Sequence, residues 1–143
     1  MGEITDYVHR VQYYETDKMG ITHHSNYIRW MEEARVDFLA KAGWDYGRLE
    51  EMGIISAVVN VTCDYKRPTA FSDDVTIRAS IVEFRGFSLK FAYVMTGADG
   101  VTVCTGTTSH AFLNADGRPV NLKRTNPELF EAFGKLVAEE SDR

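Results

Sequence analysis

The sequence is poor in the features that mark membrane-spanning, secreted and disulfide-bonded proteins. Among its 143 residues, no apolar run approaches the roughly 20 residues that a helix needs to cross a bilayer. The first ten residues, MGEITDYVHR, lack the apolar core of a signal peptide. Only two cysteines are present, Cys63 and Cys104, which is too few for a disulfide framework. We therefore expect a reduced, cytoplasmic protein that does not bind a membrane.

Basic charge is also scarce. The chain has 16 Lys and Arg against 21 Asp and Glu, which gives a formal net charge of -5. Because nucleic-acid binding needs a basic face, this balance argues against a nucleic-acid partner. A phosphorylated small molecule needs only a local basic cluster and stays compatible with it. The length and the 44% hydrophobic content are those of one globular domain, residues 1–143.

The first half of the chain predicts a strand, a loop and a long helix. Residues 6–14 are rich in β-branched and aromatic side chains and predict a strand, and residues 15–24 predict a loop broken by Gly20. Apolar side chains then recur at steps of three and four residues, which predicts a helix that ends at Gly43. This apolar stripe consists of Tyr27, Met31, Ala34, Phe38 and Ala42. Residues 44–52 predict a short helix or turn.

The second half alternates apolar and polar side chains, which is typical of strands. The predicted strands cover residues 54–65, 75–81, 89–95 and 101–113. The separators between them are short, so we expect four consecutive strands to form an antiparallel meander. Asn126 and Pro127 predict the start of a terminal helix. The fold class is therefore α+β, with a curved antiparallel five-stranded sheet wrapped around one long helix.

The stretch from Tyr13 to Leu39 carries the candidate chemistry. It places one acid, Asp17, in a polar loop just before the predicted helix. A carboxylate in that position can attack a carbonyl or activate water against it, and the N–H groups of a helix start can hold the resulting oxyanion. The pattern predicts the active site of a small hydrolase.

Residues 14–27, YETDKMGITHHSNY, resemble the active-site signature of hot-dog-fold acyl-CoA thioesterases, most closely the 4-hydroxybenzoyl-CoA thioesterase and YbgC-like group. In that group an Asp is followed by Gly after three residues, by an aromatic residue or His after seven, and by Tyr after ten. This chain has Asp17, Gly20, His24 and Tyr27 at that spacing. The similarity continues through nearly the whole chain.

The sequence departs from the group at one point. The YbgC-like group commonly has Asp-Thr-Asp before the glycine, whereas this chain has Glu15 followed by Thr and Asp17. The catalytic acid is retained, but we expect the entry to the loop to differ.

The resemblance implies a fold, an assembly and roles for particular residues. It implies a hot-dog fold, a homodimer with active sites at the subunit interface, and a homotetramer built from such dimers. Asp17 takes the position of the catalytic carboxylate, and the backbone N–H of His24 takes that of the oxyanion donor. Residues expected to contact the acyl group are Gly20, Ile21, His23 and Tyr27. No metal and no cofactor are implied.

Three basic residues near strand ends are candidates for binding the phosphates of coenzyme A. They are Lys66, Arg67 and Arg85. A structural role is the simpler interpretation for His9 and His110, which lie in predicted strands.

Thioester chemistry suits a site with so few groups. A thiol leaving group has a pKa of about 8.5 and departs as thiolate without a strong acid. A carboxylate, oxyanion donors and water are then sufficient. Two roles remain open for Asp17: nucleophile, which forms an acyl-enzyme anhydride, or general base toward water. The role of the His24 imidazole is also open.

Three other functions fit parts of the pattern. The substrate can be an acyl chain on acyl carrier protein, which is acidic and would need a basic patch at Lys66, Arg67 and Arg85. A non-catalytic module that binds acyl-CoA is a second alternative, although the intact spacing from Asp17 to Tyr27 argues against it. A dehydratase fits less well, because its acid would be expected on the long helix.

Overall fold

The computed structural model describes residues 4–138, which form five strands and four α-helices. The strands are β1 (Tyr7–Arg10), β2 (Ile55–Tyr65), β3 (Asp74–Phe84), β4 (Ser88–Thr96) and β5 (Thr102–Leu113). The helices are α1 (Ser25–Lys41), α2 (Tyr46–Glu51), α3 (Leu122–Thr125) and α4 (Pro127–Leu136). All strands belong to one antiparallel sheet of order β1-β3-β4-β5-β2.

Helix α1 packs its apolar side against one face of this sheet. Trp30 and Met31 are fully buried, as are Phe91 and Met95 on β4. Gly106 on β5 permits the close approach of Met31 on α1 and of the neighbouring strand β2, since a Cβ there would collide with Met31 Cε and the Thr62 carbonyl oxygen. The predicted sheet around one long helix is confirmed.

The predicted end of α1 is also confirmed. The helix finishes at Lys41, and Gly43 follows with a φ of +90°, a left-handed conformation that glycine adopts without steric cost. The helix predicted at the terminal Pro127 is present as α4, whereas the single turn of α3 was not predicted. Within residues 4–138, every helix is too short or too polar to span a bilayer.

The first strand is shorter than predicted. The sequence predicts an extended segment over residues 6–14, but β1 ends at Arg10 and residues 13–15 form a 3-10 turn. The prediction is wrong because the Glu15 carboxylate turns back to accept a hydrogen bond from the Gln12 backbone N–H at 2.8 Å. β propensity does not include that contact, since it reflects only the aromatic and β-branched residues of the segment.

The predicted meander is correct for β3, β4 and β5 and wrong for β2. Instead of pairing with β3, β2 pairs with β5 at the far edge of the sheet. The connection at residues 66–73 is too long for a tight hairpin, and its hydrogen bonds go elsewhere. Lys66 N–H donates to the Val103 carbonyl at 2.8 Å, and the Thr69 carbonyl accepts from Thr22 N–H at 2.8 Å. The segment therefore closes the end of the sheet beside the start of α1.

Candidate active site

The predicted catalytic loop is a closed turn with paired arms. Thr16 and Thr22 form an antiparallel bridge, and the Asp17 N–H donates to the Ile21 carbonyl at 2.9 Å. The Gly20 N–H donates to the Asp17 carbonyl at 2.9 Å, and Gly20 has a φ of +78°. Glycine is the residue that adopts this conformation without strain, so the sequence prediction that the loop turns at Gly20 is confirmed.

Asp17 lies near the base of this loop with its side chain half-buried. Its Oδ1 accepts a hydrogen bond from the Met19 N–H at 2.8 Å. Among residues 4–138, no group donates to its Oδ2, and no cation is paired with it. One carboxylate oxygen is therefore held in place while the other is left for a ligand or for water.

The amino end of α1, close to this loop, has an unpaired backbone donor. His24 precedes the helix and is exposed, and its N–H donates to no acceptor in the described part of the chain. The Ser25 N–H donates to His23 Nδ1 at 3.2 Å, and the Asn26 N–H donates to the His23 carbonyl at 3.0 Å. The unpaired His24 N–H and the positive end of the helix dipole make this position suited to an oxyanion.

Backbone hydrogen bonds tie the loop to the helix start. The Glu15 carbonyl accepts from the His23 N–H at 2.8 Å and from Asn26 Nδ2 at 2.9 Å. On the other side, Tyr27 Oη is 3.0 Å from the Thr69 hydroxyl. The structure thus brings the loop with Asp17 and Gly20 and the first turn with His23, His24 and Tyr27 into one continuous region.

The predicted acyl-contact residues differ in exposure. Ile21 is half-buried and His23 is exposed, with its ring stacked on that of His24 at 4.3 Å. Tyr27 is only 3% exposed, and burial raises the pKa of its hydroxyl. Its ring lies in the core, with an edge-on contact to Tyr65 at 5.2 Å.

Two residues of this region were missed at the sequence level. Tyr65 donates its hydroxyl to the His24 carbonyl at 3.0 Å, and Thr69 bonds both Thr22 and Tyr27. Both lie some forty residues from the motif. Tyr65 had a weak signal as the last residue of an alternating strand next to Lys66, but only the fold brings it to the helix start.

The side chain of Glu15, at the start of the loop, is a buried carboxylate, and no role for it was predicted from the sequence. Glu15 is 4% exposed. Its Oε1 accepts from His9 Nε2 at 2.8 Å and its Oε2 from Trp30 Nε1 at 2.7 Å. Burial alone raises the pKa of this carboxyl, but the hydrogen bonds that it accepts outweigh burial and hold the pKa below its ordinary value.

The three candidate phosphate ligands are not together in one chain. Lys66 and Arg67 follow β2 and adjoin Tyr65, beside the start of α1. Arg85 lies in the β3–β4 turn at the opposite end of the sheet, where its Nε is 2.6 Å from Glu83 Oε1. The separation does not depend on which strand β2 pairs with, because successive connections between antiparallel strands lie at opposite ends of the sheet.

The sheet around one helix, with an acid loop tied to the helix start, is the arrangement expected for a hot-dog-fold thioesterase. The family model described as the Thioesterase-like superfamily matches residues 11–133. The chain belongs to this family, which confirms the resemblance drawn from residues 14–27.

Several known proteins are similar over most of their length. A relative from Aquifex aeolicus, provisionally named an esterase, is 36% identical over 125 residues, or 87% of this chain and 96% of that protein. The provisionally named acyl-CoA thioesterase YneP of Bacillus subtilis is 29% identical over 126 residues, or 87% of this chain and 91% of that protein. The structure of a DHNA-CoA thioesterase from Staphylococcus aureus has a TM-score of 0.87 at 30% identity, covering 92% of this chain and 89% of that chain.

Proposed function

We propose that this protein is an acyl-CoA thioester hydrolase, which converts an acyl-CoA and water into a free carboxylic acid and coenzyme A. The observation that carries the proposal is the pairing of the Asp17 loop with the start of α1, through the two hydrogen bonds that the Glu15 carbonyl accepts. Within residues 4–138, this pairing joins a loop whose Asp17 carboxylate has one unengaged oxygen to a helix start whose His24 N–H is unpaired. Membership of the Thioesterase-like superfamily supports the same reaction class.

In the proposed reaction the thioester carbonyl oxygen accepts a hydrogen bond from the His24 N–H. As the carbonyl carbon is attacked, negative charge develops on this oxygen, and one such donor is typically worth about 2.7–4 kcal/mol in the transition state. Asp17 either attacks the carbon itself or takes a proton from the attacking water. In both routes the carbon–sulfur bond breaks and sulfur leaves as the thiolate of coenzyme A. In the first route water then hydrolyses the anhydride, which releases the acid and regenerates the Asp17 carboxylate; in the second the attacking water supplies the second oxygen of the acid directly.

We further propose that Lys66 and Arg67 bind phosphates of coenzyme A. Both follow the strand whose last residue, Tyr65, bonds the His24 carbonyl, so they flank the proposed oxyanion position. Arg85 would have to act from a second subunit, because in its own chain it lies at the other end of the sheet. Phosphate groups are bound best by basic side chains that are not already paired with an acid. Arg85 is paired with Glu83, which makes it the weaker candidate.

We propose a homodimer with an active site at each end of its interface, and a tetramer of such dimers. Strand β2 supports this, because it is an edge strand with unpaired backbone groups and exposed apolar side chains. Val59 is 65% exposed and Val58 is 46% exposed. A second copy pairing along this edge would cover them. The free thiols of Cys63 and Cys104 are in keeping with a cytoplasmic location.

The test is thiol release from a panel of short-chain, long-chain and aromatic acyl-CoAs. We expect turnover of at least one class, and we expect Asp17→Asn to lower kcat at least about 100-fold, the lower end of what a positioned base supplies. Asp116→Asn is the matched control, because Asp116 is an exposed turn residue. Absence of turnover across the panel would reject the proposal. So would an Asp17→Asn protein as active as the control, whereas binding without turnover would support the non-catalytic module.

A further inference from the structure

Glu15 is an unusual residue for its position. It is the one carboxylate among residues 4–138 that is buried, and only 4% of it is exposed. Burying a carboxylate is costly unless hydrogen bonds or opposite charges compensate. A position that needed only to fill space would be better occupied by an apolar side chain. The contacts of the carboxylate therefore indicate what it holds together.

The Glu15 carboxylate has three hydrogen-bond partners, which lie in three different elements. His9 lies on β1, Trp30 lies in α1, and the Gln12 N–H opens the 3-10 turn. All three contacts are between 2.7 and 2.8 Å. Two oxygens thus accept hydrogen bonds from a strand, a turn and the long helix at once, which leaves the Glu15 backbone little freedom.

The same residue holds the loop through its backbone. The Glu15 carbonyl accepts from the His23 N–H and from Asn26 Nδ2, and Asp17 is only two residues further along the chain. The side chain therefore anchors the start of the acid loop to the core, and the carbonyl anchors the end of the loop and the first turn of α1. A shift of Glu15 would move the loop and the helix start relative to each other.

The hydrogen bonds around Glu15 continue through His9 to a second acid, Glu33. His9 Nδ1 is 3.1 Å from Glu33 Oε1, which also accepts the Tyr7 hydroxyl at 2.6 Å. The His9 ring therefore lies between the Glu15 and Glu33 carboxylates and links β1 to both of them.

We infer that Glu15 is a positioning residue for the thioester hydrolysis proposed above, and that its carboxylate sets the distance between Asp17 and the amino end of α1. The inference rests on the proposed function. Glu15 does not touch the substrate and acts through Asp17. Such positioning matters because small displacements of a reacting group cost large factors in rate.

Glu15→Gln tests the inference with almost no change of shape. An amide has one oxygen and one NH2 group. The NH2 group of the substituted side chain would face the N–H donor of either His9 or Trp30, so one hydrogen bond would be lost. We expect kcat to fall at least about tenfold while KM changes less than about threefold, because the loss falls on the transition state rather than on binding. Glu32→Gln is the matched control, since Glu32 is an exposed glutamate on helix α1.

A double variant separates positioning from general damage. If Glu15 acts through Asp17, the change Glu15→Gln made in an Asp17→Asn protein should lower kcat less than about twofold. Hydrogen exchange gives a readout independent of activity: the N–H groups of Asp17, Gly20 and His23 should exchange faster in Glu15→Gln, with the exchange of β3 and β4 unchanged.

Each result supports or overturns the inference. A loss of kcat by the same factor in both backgrounds, or a loss that only follows the folded fraction, overturns it. Unchanged exchange of the loop also overturns it. If Glu15→Gln does not fold, Trp30→Phe removes one donor to the same carboxylate and must show the same exchange pattern. If the native protein has no acyl-CoA turnover, the proposed function fails, and exchange alone decides whether Glu15 orders the loop.

Discussion

His110 on β5 is buried with one ring nitrogen that has no hydrogen-bond partner among residues 4–138. The residue is 1% exposed, and its Nδ1 is the unpaired atom. Its Nε2 is 2.8 Å from the Thr108 hydroxyl, which is 2.6 Å from the Tyr93 hydroxyl. Arg35 Nη1 donates to that tyrosine at 3.0 Å. Burial, and then the Arg35 charge, lower the pKa of His110 from 6.5 to about 4.

This lowered pKa makes folding stability depend on pH. An unfolded His110 takes up a proton as the pH falls through about 6.5, whereas the folded protein excludes it until the pH approaches about 4. The unfolded state therefore binds more protons in this window, and stability is lost as the pH falls. One pKa unit corresponds to about 1.4 kcal/mol, so lowering the pH from 7 to 5 should cost about 2 kcal/mol through this residue alone.

Urea denaturation at pH 7 and at pH 5 measures the effect. We compare the native protein with His110→Gln, which cannot titrate, and with His23→Gln, which changes an exposed histidine. The native protein and His23→Gln should each lose about 2 kcal/mol more stability than His110→Gln over this pH range, with similar m values. If all three proteins lose stability in parallel, the buried imidazole does not exclude the proton and the reasoning is wrong.

Two further predictions concern the subunit interface and coenzyme A. Val59→Lys should convert the proposed dimer into a monomer in analytical ultracentrifugation, because it places a charge on an exposed edge strand that a second copy would cover; a variant that stays dimeric would rule out this edge. Changing Lys66 and Arg67 together to Glu should raise KM for acyl-CoA at least about tenfold and leave KM unchanged for a truncated thioester without phosphates. Equal effects on both substrates would contradict phosphate binding.

The elements that were predicted correctly are those whose signal is local. The three- and four-residue period of α1, the alternation of β3 to β5 and the left-handed Gly43 are each contained in a short window of sequence. The spacing from Asp17 to Tyr27 is equally local. These parts of the fold and of the candidate site could therefore be predicted from the pattern of residues.

What escaped prediction depends on long-range pairing. Nothing in β2 itself indicates that it pairs with β5 rather than with β3. The contacts of Glu15 were not predicted for the same reason, since His9 and Trp30 reach it only after the strand and the helix have packed. Contacts between distant elements are set by tertiary packing, which propensity does not describe.

Asp17, the proposed catalytic acid, and His24, the proposed oxyanion donor, are seven residues apart in the sequence, and hydrogen bonds to the Glu15 carbonyl hold their segment together. The residues proposed for catalysis and the residues that would select the acyl group can therefore change independently during evolution. Substitutions outside this segment can change the groups that surround the proposed site, while the hydrogen bonds to the Glu15 carbonyl keep the geometry of the segment. One short segment of this kind can in this way be combined with binding sites for many different acyl groups.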